Sequence, residues 1–577
     1  MSSIPAILPK DAAAAAGKVN VQINGTWYQF PKGTRIVDAC NSVGAHVPTF
    51  CYHPKLSVVG SCRMCLVEQG MPPRLAPGAA PTYDENGYQP ISWMPRAVIA
   101  CANTVAENMG IRTNSKMTEE ARKGVLEFLL TNHPLDCPIC DQAGECKLQE
   151  YTADYGRGTH RFTEAKTKKG KNLPIGPRVN LDQERCVLCR RCVRFMKEIV
   201  GEEVLGVVNR GTHNAISCYP GTTLDSNYSM NTVDLCPVGA LTSKDFRFQM
   251  RVWFLKSTPT IDVNCGTGTN INIWTRESKV YRITPRQNDE VNSCWMPDSH
   301  RLNYKYINAP ERLLTPLVKT DAKAPQRPTT WDSALNLVVE QLHKCAPTET
   351  AIVASARMTN EELYMVRALA RQLGITKLDI VSRKGTGDNM LVSEDRNPNT
   401  NGVKMILGKT GTGLNAIRRG VRNGTVRFVI ALGEDLTSPE AGFTKEDLEG
   451  LDYLLTIHHS ENETTRMSDV VLPGVTFAEK YGTMINVAGR IQRLNKAIEP
   501  LGESRSDWAI FRDVSERLGC DCVKVIACPT PMMVLEEMAQ EFEPMKGLTW
   551  GNIGNEGKVI LNTGVTIPLI EREKAKK

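Results

Sequence analysis

Eleven cysteines and one histidine in the first half of this chain fall into three sets of four. Cys51, Cys62, Cys65 and Cys101 form the first. His133, Cys137, Cys140 and Cys146 form the second, and Cys186, Cys189, Cys192 and Cys236 the third. Four soft donors are the number needed to hold an iron–sulfur cluster. Three such sets on one polypeptide point to a conduit for electrons rather than a single redox site.

The first set reads C-x10-C-x2-C, with Cys101 following after 35 residues. A long first spacing suits a loop wrapped around a flat [2Fe–2S] centre held by four thiolates. A structural zinc takes the same ligands, but usually as two close pairs, and this set has one. The second set, H-x3-C-x2-C-x5-C, leaves the two metals open, because three thiolates and an imidazole are also a common zinc set. If a cubane binds there, a neutral imidazole leaves one less negative charge than a fourth thiolate and so alters the redox poise. The third set, C-x2-C-x2-C and then Cys236-Pro237 after 43 residues, has the [4Fe–4S] ferredoxin spacing. No second triplet exists, so Cys236 is expected to close the same cubane. Arg190, Arg191 and Arg194 beside it read either as an offset to the cluster's negative charge or as a solvated helix face.

The elements that must carry these ligands are partly legible. Val19, Val21 and Ile23 alternate, Asn24-Gly25 supplies a turn, and Thr26 to Phe30 returns as the second arm of a hairpin. Thr34 is expected to cap a short helix whose inner face is Ile36, Val37 and Cys40. Hairpin, helix and cysteine loop follow in the order of a β-grasp ferredoxin. Residues 70–96, rich in Pro and Gly, read as a loop insertion. Thr118, Glu119 and Glu120 are expected to start a helix with Ala121, Val125 and Leu129 on its inner face, ending at Asn132-His133-Pro134. Beyond residue 256, apolar runs at Phe428–Leu432 and Tyr453–Ile457 alternate with helical stretches such as Asn360–Leu373, an α/β rhythm around a buried parallel sheet.

Bulk properties exclude more than they assign. The chain has 577 residues, 70 basic and 63 acidic side chains and a net charge of +7. No basic cluster is long enough to suggest nucleic acid. Lys166 to Lys171 reads as a solvated loop. Of 19 cysteines, fifteen lie before residue 295. Their C-x-x-C pairs in a long chain favour metal over disulfides. Residues 1–18 read as a flexible extension without the apolar core of a signal peptide. No run approaches a membrane span. Gly402–Thr410 has one residue too many for a phosphate loop and reads as a plain loop. Cys520, Cys522 and Cys528 read as buried thiols on a strand, Cys40 and Cys218 as small core residues, and His458-His459 shows no partner pattern.

Three stretches carry a closer likeness. They are Gly60-Ser61-Cys62-Arg63-Met64-Cys65-Leu66-Val67-Glu68, His133-Pro134-Leu135-Asp136-Cys137-Pro138-Ile139-Cys140-Asp141-Gln142 and Arg185-Cys186-Val187-Leu188-Cys189-Arg190-Arg191-Cys192, the last echoed by Asp234-Leu235-Cys236-Pro237-Val238-Gly239-Ala240-Leu241. Together they resemble the largest iron–sulfur subunit of respiratory complex I, the NuoG-type family of NADH–quinone oxidoreductase. The resemblance implies a [2Fe–2S] cluster at the first set and [4Fe–4S] clusters at the other two, with iron rather than zinc at His133. It also implies a third region like a molybdopterin oxidoreductase, carried by Trp331-Asp332-Ser333-Ala334, by Asp469 to Lys480, by Gly482-Thr483 and by Gly489-Arg490.

The expected fold class is multidomain α+β and α/β. An N-terminal extension (1–18) precedes a β-grasp [2Fe–2S] domain (19–106) and a [4Fe–4S] domain with one histidine and three cysteine ligands (107–150). A [4Fe–4S] ferredoxin-like domain (151–255) and a molybdopterin-oxidoreductase-like domain without cofactor (256–577) follow. Some relatives hold a fourth cubane at the start of the last domain. The matching positions here are Asp262, Cys265, Thr269 and Pro297, with Cys294 out of register, so no fourth cluster is expected. No cysteine lies between Cys345 and Cys520 to ligate molybdenum, so no molybdopterin is expected either.

The implied function is an electron-transfer subunit of a proton-pumping NADH:quinone oxidoreductase, with NADH and quinone sites on other chains. Implied partners are the flavin and NADH-binding subunit, a small [2Fe–2S] subunit, a two-cubane subunit and the quinone-module subunit. The implied location is the cytoplasmic side of a bacterial inner membrane, reached only through the complex. The rival readings are the large subunit of a NAD-linked formate dehydrogenase or hydrogenase, marked by a working molybdenum or hydrogen-activating site, and a zinc-stapled scaffold, which would be colourless.

Overall fold

The computed structural model describes residues 17–78, 80–321, 324–519 and 530–575. Cys520, Cys522 and Cys528, and all but two residues of the expected N-terminal extension, lie outside them. The chain divides into two compact units at Trp253/Phe254.

In the first unit, strands Lys18–Ile23 and Thr26–Pro31 pair antiparallel with Ile23 opposite Thr26. Asn24 (φ 48°) and Gly25 (φ 90°) make the turn, both left-handed as a tight hairpin requires. Met109–Arg112 adds in parallel to the first strand, and Leu66–Met71 adds antiparallel to that. Ser92–Trp93 and Val98–Ile99 extend the mixed sheet. The helix Ile36–Ser42 packs Ile36, Val37 and Cys40 against Val21, Phe30 and Ile111. Thr34 does not cap it. Its hydroxyl donates to Pro31 O, and Arg35 stands at the N-cap without a side-chain bond.

The next helix, Lys116–Thr131, starts two residues before Thr118 and is capped by Ser115, whose Oγ accepts from Thr118 N at 3.3 Å. Its buried residues are Thr118, Arg122 and Leu126, one position round from the expected face. Arg122 tolerates burial because its guanidinium lies 5.0 Å from the Tyr155 ring centre on the neighbouring helix Lys147–Tyr155. Lys166 is not a solvated loop residue: its Nζ donates to Leu130 O and Thr131 O, capping the helix end beside His133. Strands Val179–Leu181 and Leu241–Ser243 pair antiparallel and bracket the short helices Arg191–Phe195 and Asn231–Leu235.

The second unit opens with a three-stranded antiparallel sheet, Lys256–Ile261, Asn270–Arg276 and Lys279–Pro285. Its centre is a seven-stranded sheet. Val470–Pro473, Tyr453–His458, Phe428–Leu432, Thr350–Ser355 and Lys377–Val381 run parallel in that spatial order, and two short antiparallel strands add outside Val470–Pro473. Thr350–Ser355 and Phe428–Leu432 are buried at every position, as helices on both faces demand. Gly402 lies inside the helix Thr400–Leu407 rather than in a loop, and Gly408 (φ 65°) ends that helix. Among the described residues no helix is long and apolar enough to cross a membrane.

Candidate metal centres

All three donor sets lie in the first unit, and the structure brings the members of each together. In the first, the Cys51 thiol hydrogen-bonds those of Cys62 and Cys101, and Cys101 also reaches Cys65. Hydrogen bonds from Cys101 and Cys62 draw Cys51 well below the usual thiol range, and Cys65 is lowered to about 7 by Cys101. Cys62 and Cys101, bonded to the more acidic thiols, are pushed up.

His133, Cys137, Cys140 and Cys146 line one cavity of about 580 Å3. Burial, reinforced by Arg185 and Lys166, lowers His133 to about 4, so at neutral pH its imidazole is in the neutral, ligating form. Gly239 closes one wall. A Cβ there would stand 2.3 Å from Cys140 Sγ, which explains a glycine at that point. Arg185, 5% exposed, reaches Asp136 at 3.1 Å and Asp182 at 3.3 Å, and Lys171 also joins Asp136.

Cys186, Cys189, Cys192 and Cys236 line a third pocket with Leu181, Ile216 and Val238. Burial pushes Cys186 up to about 12 and Cys189 to about 11, and Cys192 and Cys236 move the same way. Thiols this dry keep their protons unless a metal displaces them.

The backbone favours a polynuclear group. Arg63, Leu188 and Arg190 take left-handed φ values of 61°, 52° and 57°, although none is glycine. Such turns fold successive N–H groups around an anion and recur at iron–sulfur sites. Backbone N–H groups reach sulfur from Ser61 and Cys62 onto Cys51, from Leu188 onto Cys186, from Gln142 onto Cys140, and from Val238, Ala240 and Leu241 onto Cys236. Hydrogen bonds to ligand sulfur tune and steady such clusters. The donor sets fit iron–sulfur groups, which would carry single electrons when bound.

The sets are joined. Cys51, Cys146 and Cys189 share one apolar cluster with Phe50, Met64, Leu126 and Tyr151, and Cys62, Cys186 and Cys236 pack on it. Lys147 N donates to Pro237 O at 3.0 Å, linking the residue after Cys146 to the residue after Cys236. Arg191 and Arg194, one alternative for which was a solvated face, are buried, whereas Arg190 is exposed. Gly239 was not singled out by spacing, whereas for Arg191 and Arg194 the sequence left open whether they offset cluster charge or formed a solvated face. The signal available was an arginine pair three apart beginning inside the cysteine triplet.

Family models match along the chain: a 2Fe-2S iron-sulfur cluster binding domain at 16–116, an NADH-ubiquinone oxidoreductase-G iron-sulfur binding region at 122–161, and an NADH-quinone oxidoreductase subunit 3 ferredoxin-like domain at 176–242. An NDSU1/NuoG-like 4Fe-4S domain matches 255–305 and a molybdopterin oxidoreductase matches 399–517. Fold and domains thus define an iron–sulfur protein with 2Fe–2S and 4Fe–4S modules and a molybdopterin-oxidoreductase-like α/β domain. The NADH-ubiquinone oxidoreductase 78 kDa subunit of Neurospora crassa mitochondria is 30% identical over 631 residues, covering 88% of this chain and 82% of its own. The 75 kDa subunit of Reclinomonas americana is 41% identical and the corresponding NADH-quinone oxidoreductase subunit of Rickettsia felis 37%, covering 63% and 62% of this chain. The chain belongs to this family, the NuoG-type and 75–78 kDa iron–sulfur subunits of NADH–quinone oxidoreductase. It spans about half the length of the Rickettsia and Reclinomonas relatives, 49% of each. A solved NAD+-reducing [NiFe]-hydrogenase, 24% identical, covers 41% of this chain and 91% of its own with a TM-score of 0.32, too slight a likeness to bear on the fold.

Two of the matched domains raise the question of further cofactors. Open α/β sheets take ligands at the C-terminal ends of their parallel strands. That edge is filled here by the chain's own pairs. Arg312 meets Glu479 at 2.8 and 2.9 Å, Lys480 meets Glu362 at 2.7 and 2.9 Å, and Arg383 meets Glu434. Thr483 N and Oγ1 both donate to Glu361 at 2.7 Å. These groups answer one another and do not fit a pterin. At 255–305, Asp262 lies 2.8 Å from His300, both buried, and Asp262 N donates to Thr269 O. Cys265 is fully buried with its Sγ directed to Leu391 O at 3.7 Å. One thiol beside a carboxylate–imidazole pair does not fit a cubane.

Proposed function

We propose that this chain relays electrons as a subunit of a proton-pumping NADH:quinone oxidoreductase. Cys51, Cys62, Cys65 and Cys101 hold one [2Fe–2S] cluster. His133, Cys137, Cys140 and Cys146 hold a [4Fe–4S] cluster, and Cys186, Cys189, Cys192 and Cys236 a second. Electrons arrive from a flavin-bearing NADH subunit and its small [2Fe–2S] companion, and leave for a two-cubane subunit and the quinone module. In this reading the domains keep the boundaries given under the sequence, and the chain holds no pterin and no fourth cluster. The chain works on the cytoplasmic side of a bacterial inner membrane, held there by its partners.

One observation carries this reading. The third donor set adjoins both others through a shared apolar cluster, by way of Cys51 on one side and the Lys147–Pro237 hydrogen bond on the other. The proposed order is first set, third set, second set. The protein's part is to position and tune, while the redox chemistry is the clusters' own.

The test is metal and sulfide analysis of anaerobically purified chain, with low-temperature EPR of the reduced form. The expected result is about ten irons, no molybdenum, and both binuclear and cubane signals. About fourteen irons would put a fourth cluster at 255–305. Molybdenum would favour the formate dehydrogenase reading, and zinc with little iron would leave a scaffold.

A further inference from the structure

Two buried cations stand between the first and third donor sets, and no cluster ligand accounts for them. Arg191 and Arg194 are 6% and 7% exposed. They lie one turn apart on the helix Arg191–Phe195, which starts within the cysteine triplet. Arg194 Nη2 donates to Cys51 O at 2.5 Å and to Cys189 O at 3.3 Å. Its Nη1 donates to Ser57 O, and its Nε to Arg190 O at 3.2 Å. Arg191 repeats the pattern, with Nη2 donating to Tyr52 O and Nη1 to Leu235 O at 3.5 Å. Each guanidinium therefore grips the Cys51–Tyr52 loop with one nitrogen and a ligand segment of the third set with another.

Every one of these acceptors is a backbone carbonyl. Carbonyl dipoles supply hydrogen bonds but no countercharge, and a desolvated cation without one is costly. Glu198, one turn beyond Arg194, offsets part of that charge while it is engaged with Ser57 N at 2.8 Å and Ser57 Oγ at 2.5 Å, and Asp38 is engaged with the Tyr52 hydroxyl at 2.7 Å. Thiolate-ligated clusters on either side would supply the rest of the negative charge. A guanidinium fork also suits the task, since its fixed donors can hold two loops at once where an ammonium offers a point charge.

We infer that Arg191 and Arg194 are positioning residues for electron transfer between the first and third clusters: they brace the two ligand loops against each other and raise the potentials of both clusters together. The inference rests on the cluster assignment proposed above. A nearby cation favours the reduced, more negative state of each cluster, so its removal lowers both potentials.

The experiment uses the full chain, purified anaerobically with its clusters, as Arg194→Met, Arg194→Lys and, as a control at an exposed cation of the next turn, Lys197→Met. Iron content, EPR-monitored redox titration of both signals, and the microwave-power saturation of the binuclear signal are compared with the native chain. Arg194→Met is expected to keep its iron and shift both midpoints downward, while Lys197→Met shifts neither. Arg194→Lys should restore the midpoints through its charge. It should not restore the enhanced relaxation of the binuclear signal, because the fork is gone. Arg194→Met with full iron and only one midpoint moved, or none, overturns the inference. If Arg194→Met loses iron, Arg194→Lys decides: native midpoints with weakened relaxation support the brace, and native relaxation overturns it. Loss of iron from both variants would make the residue a folding brace alone and also overturn the inference. A native chain lacking a binuclear signal would instead remove the cluster assignment itself.

Discussion

Buried polar groups crowd two regions of this molecule, and they are satisfied in opposite ways. Along the C-terminal edge of the parallel sheet three cations each have an anion of their own: Arg312 with Glu479, Lys480 with Glu362, Arg383 with Glu434. Around the donor sets, sulfur atoms collect backbone N–H groups, and Arg191 and Arg194 donate to carbonyls. The first arrangement is complete as folded. The second answers Arg185 with Asp136 and Asp182 but leaves Arg191 and Arg194 bonded to carbonyls, with thiols whose charge a bound group would call out. Burial of ionisable residues is therefore a poor marker of a site by itself. What separates a site from a filled one is whether the chain answers its own charges.

The comparison can be broken by exchanging the effects. Cys189→Ala should carry the largest: quinone reduction by the assembled complex falls to background, while NADH oxidation by an artificial acceptor at the flavin is spared. Normal quinone reduction in that variant would sink the relay. The sheet unit should keep its native denaturation profile, since no thiolate supports it. Lys480→Met tests the other side. Removing one partner of a buried pair typically costs about 3–5 kcal/mol, because the Glu362 carboxylate is left unanswered. Denaturant unfolding should register that loss in the sheet unit while iron content and EPR signals stay native. A loss of iron there would mean the two regions are not independent in the way their chemistry suggests.

How much of this was legible in sequence follows from the range of the forces involved. Cluster ligation is largely local, so C-x2-C-x2-C and C-x10-C-x2-C could be read directly, as could the Asn24-Gly25 turn, where both residues need positive φ. The parallel strands at Phe428–Leu432 and Tyr453–His458 were legible because a sheet covered on both faces requires unbroken apolar runs. The buried face of Lys116–Thr131 was misjudged by one position, because Arg122 goes inside against Tyr155 while Val125 and Leu129 stay half-buried beside the donor sets. Lys166 looked solvated because its partners, Leu130 O and Thr131 O, are helix-end carbonyls 35 or 36 positions away. Arg194 was ambiguous for the same reason, its Cys51 acceptor being 143 residues distant.

The smallest expected effect concerns the filled edge alone. Glu361 is fully buried and accepts from Thr483 N and Oγ1, yet burial pushes its carboxyl up from the usual 4.5 to about 7. The folded state then holds a proton that the unfolded chain has released. The stability this contributes is full below about pH 4.5 and is lost as pH rises through about 7. His458 acts in the opposite sense. Burial lowers it from 6.5 to about 4, so its contribution is present above pH 6.5 and lost as pH falls through about 4. The two oppose each other in the acid range, so the bare pH profile of the native chain is a blunt probe. Glu361→Gln isolates one arm, since an amide stays neutral at every pH and keeps an oxygen for Thr483. Denaturant midpoints of the sheet unit should match the native chain near pH 4.5 and exceed it above pH 7, where the native carboxyl must ionise in a dry site. A difference that does not change with pH would mean that Glu361 does not titrate in this range, and that the filled edge is closed to protons as well as to ligands.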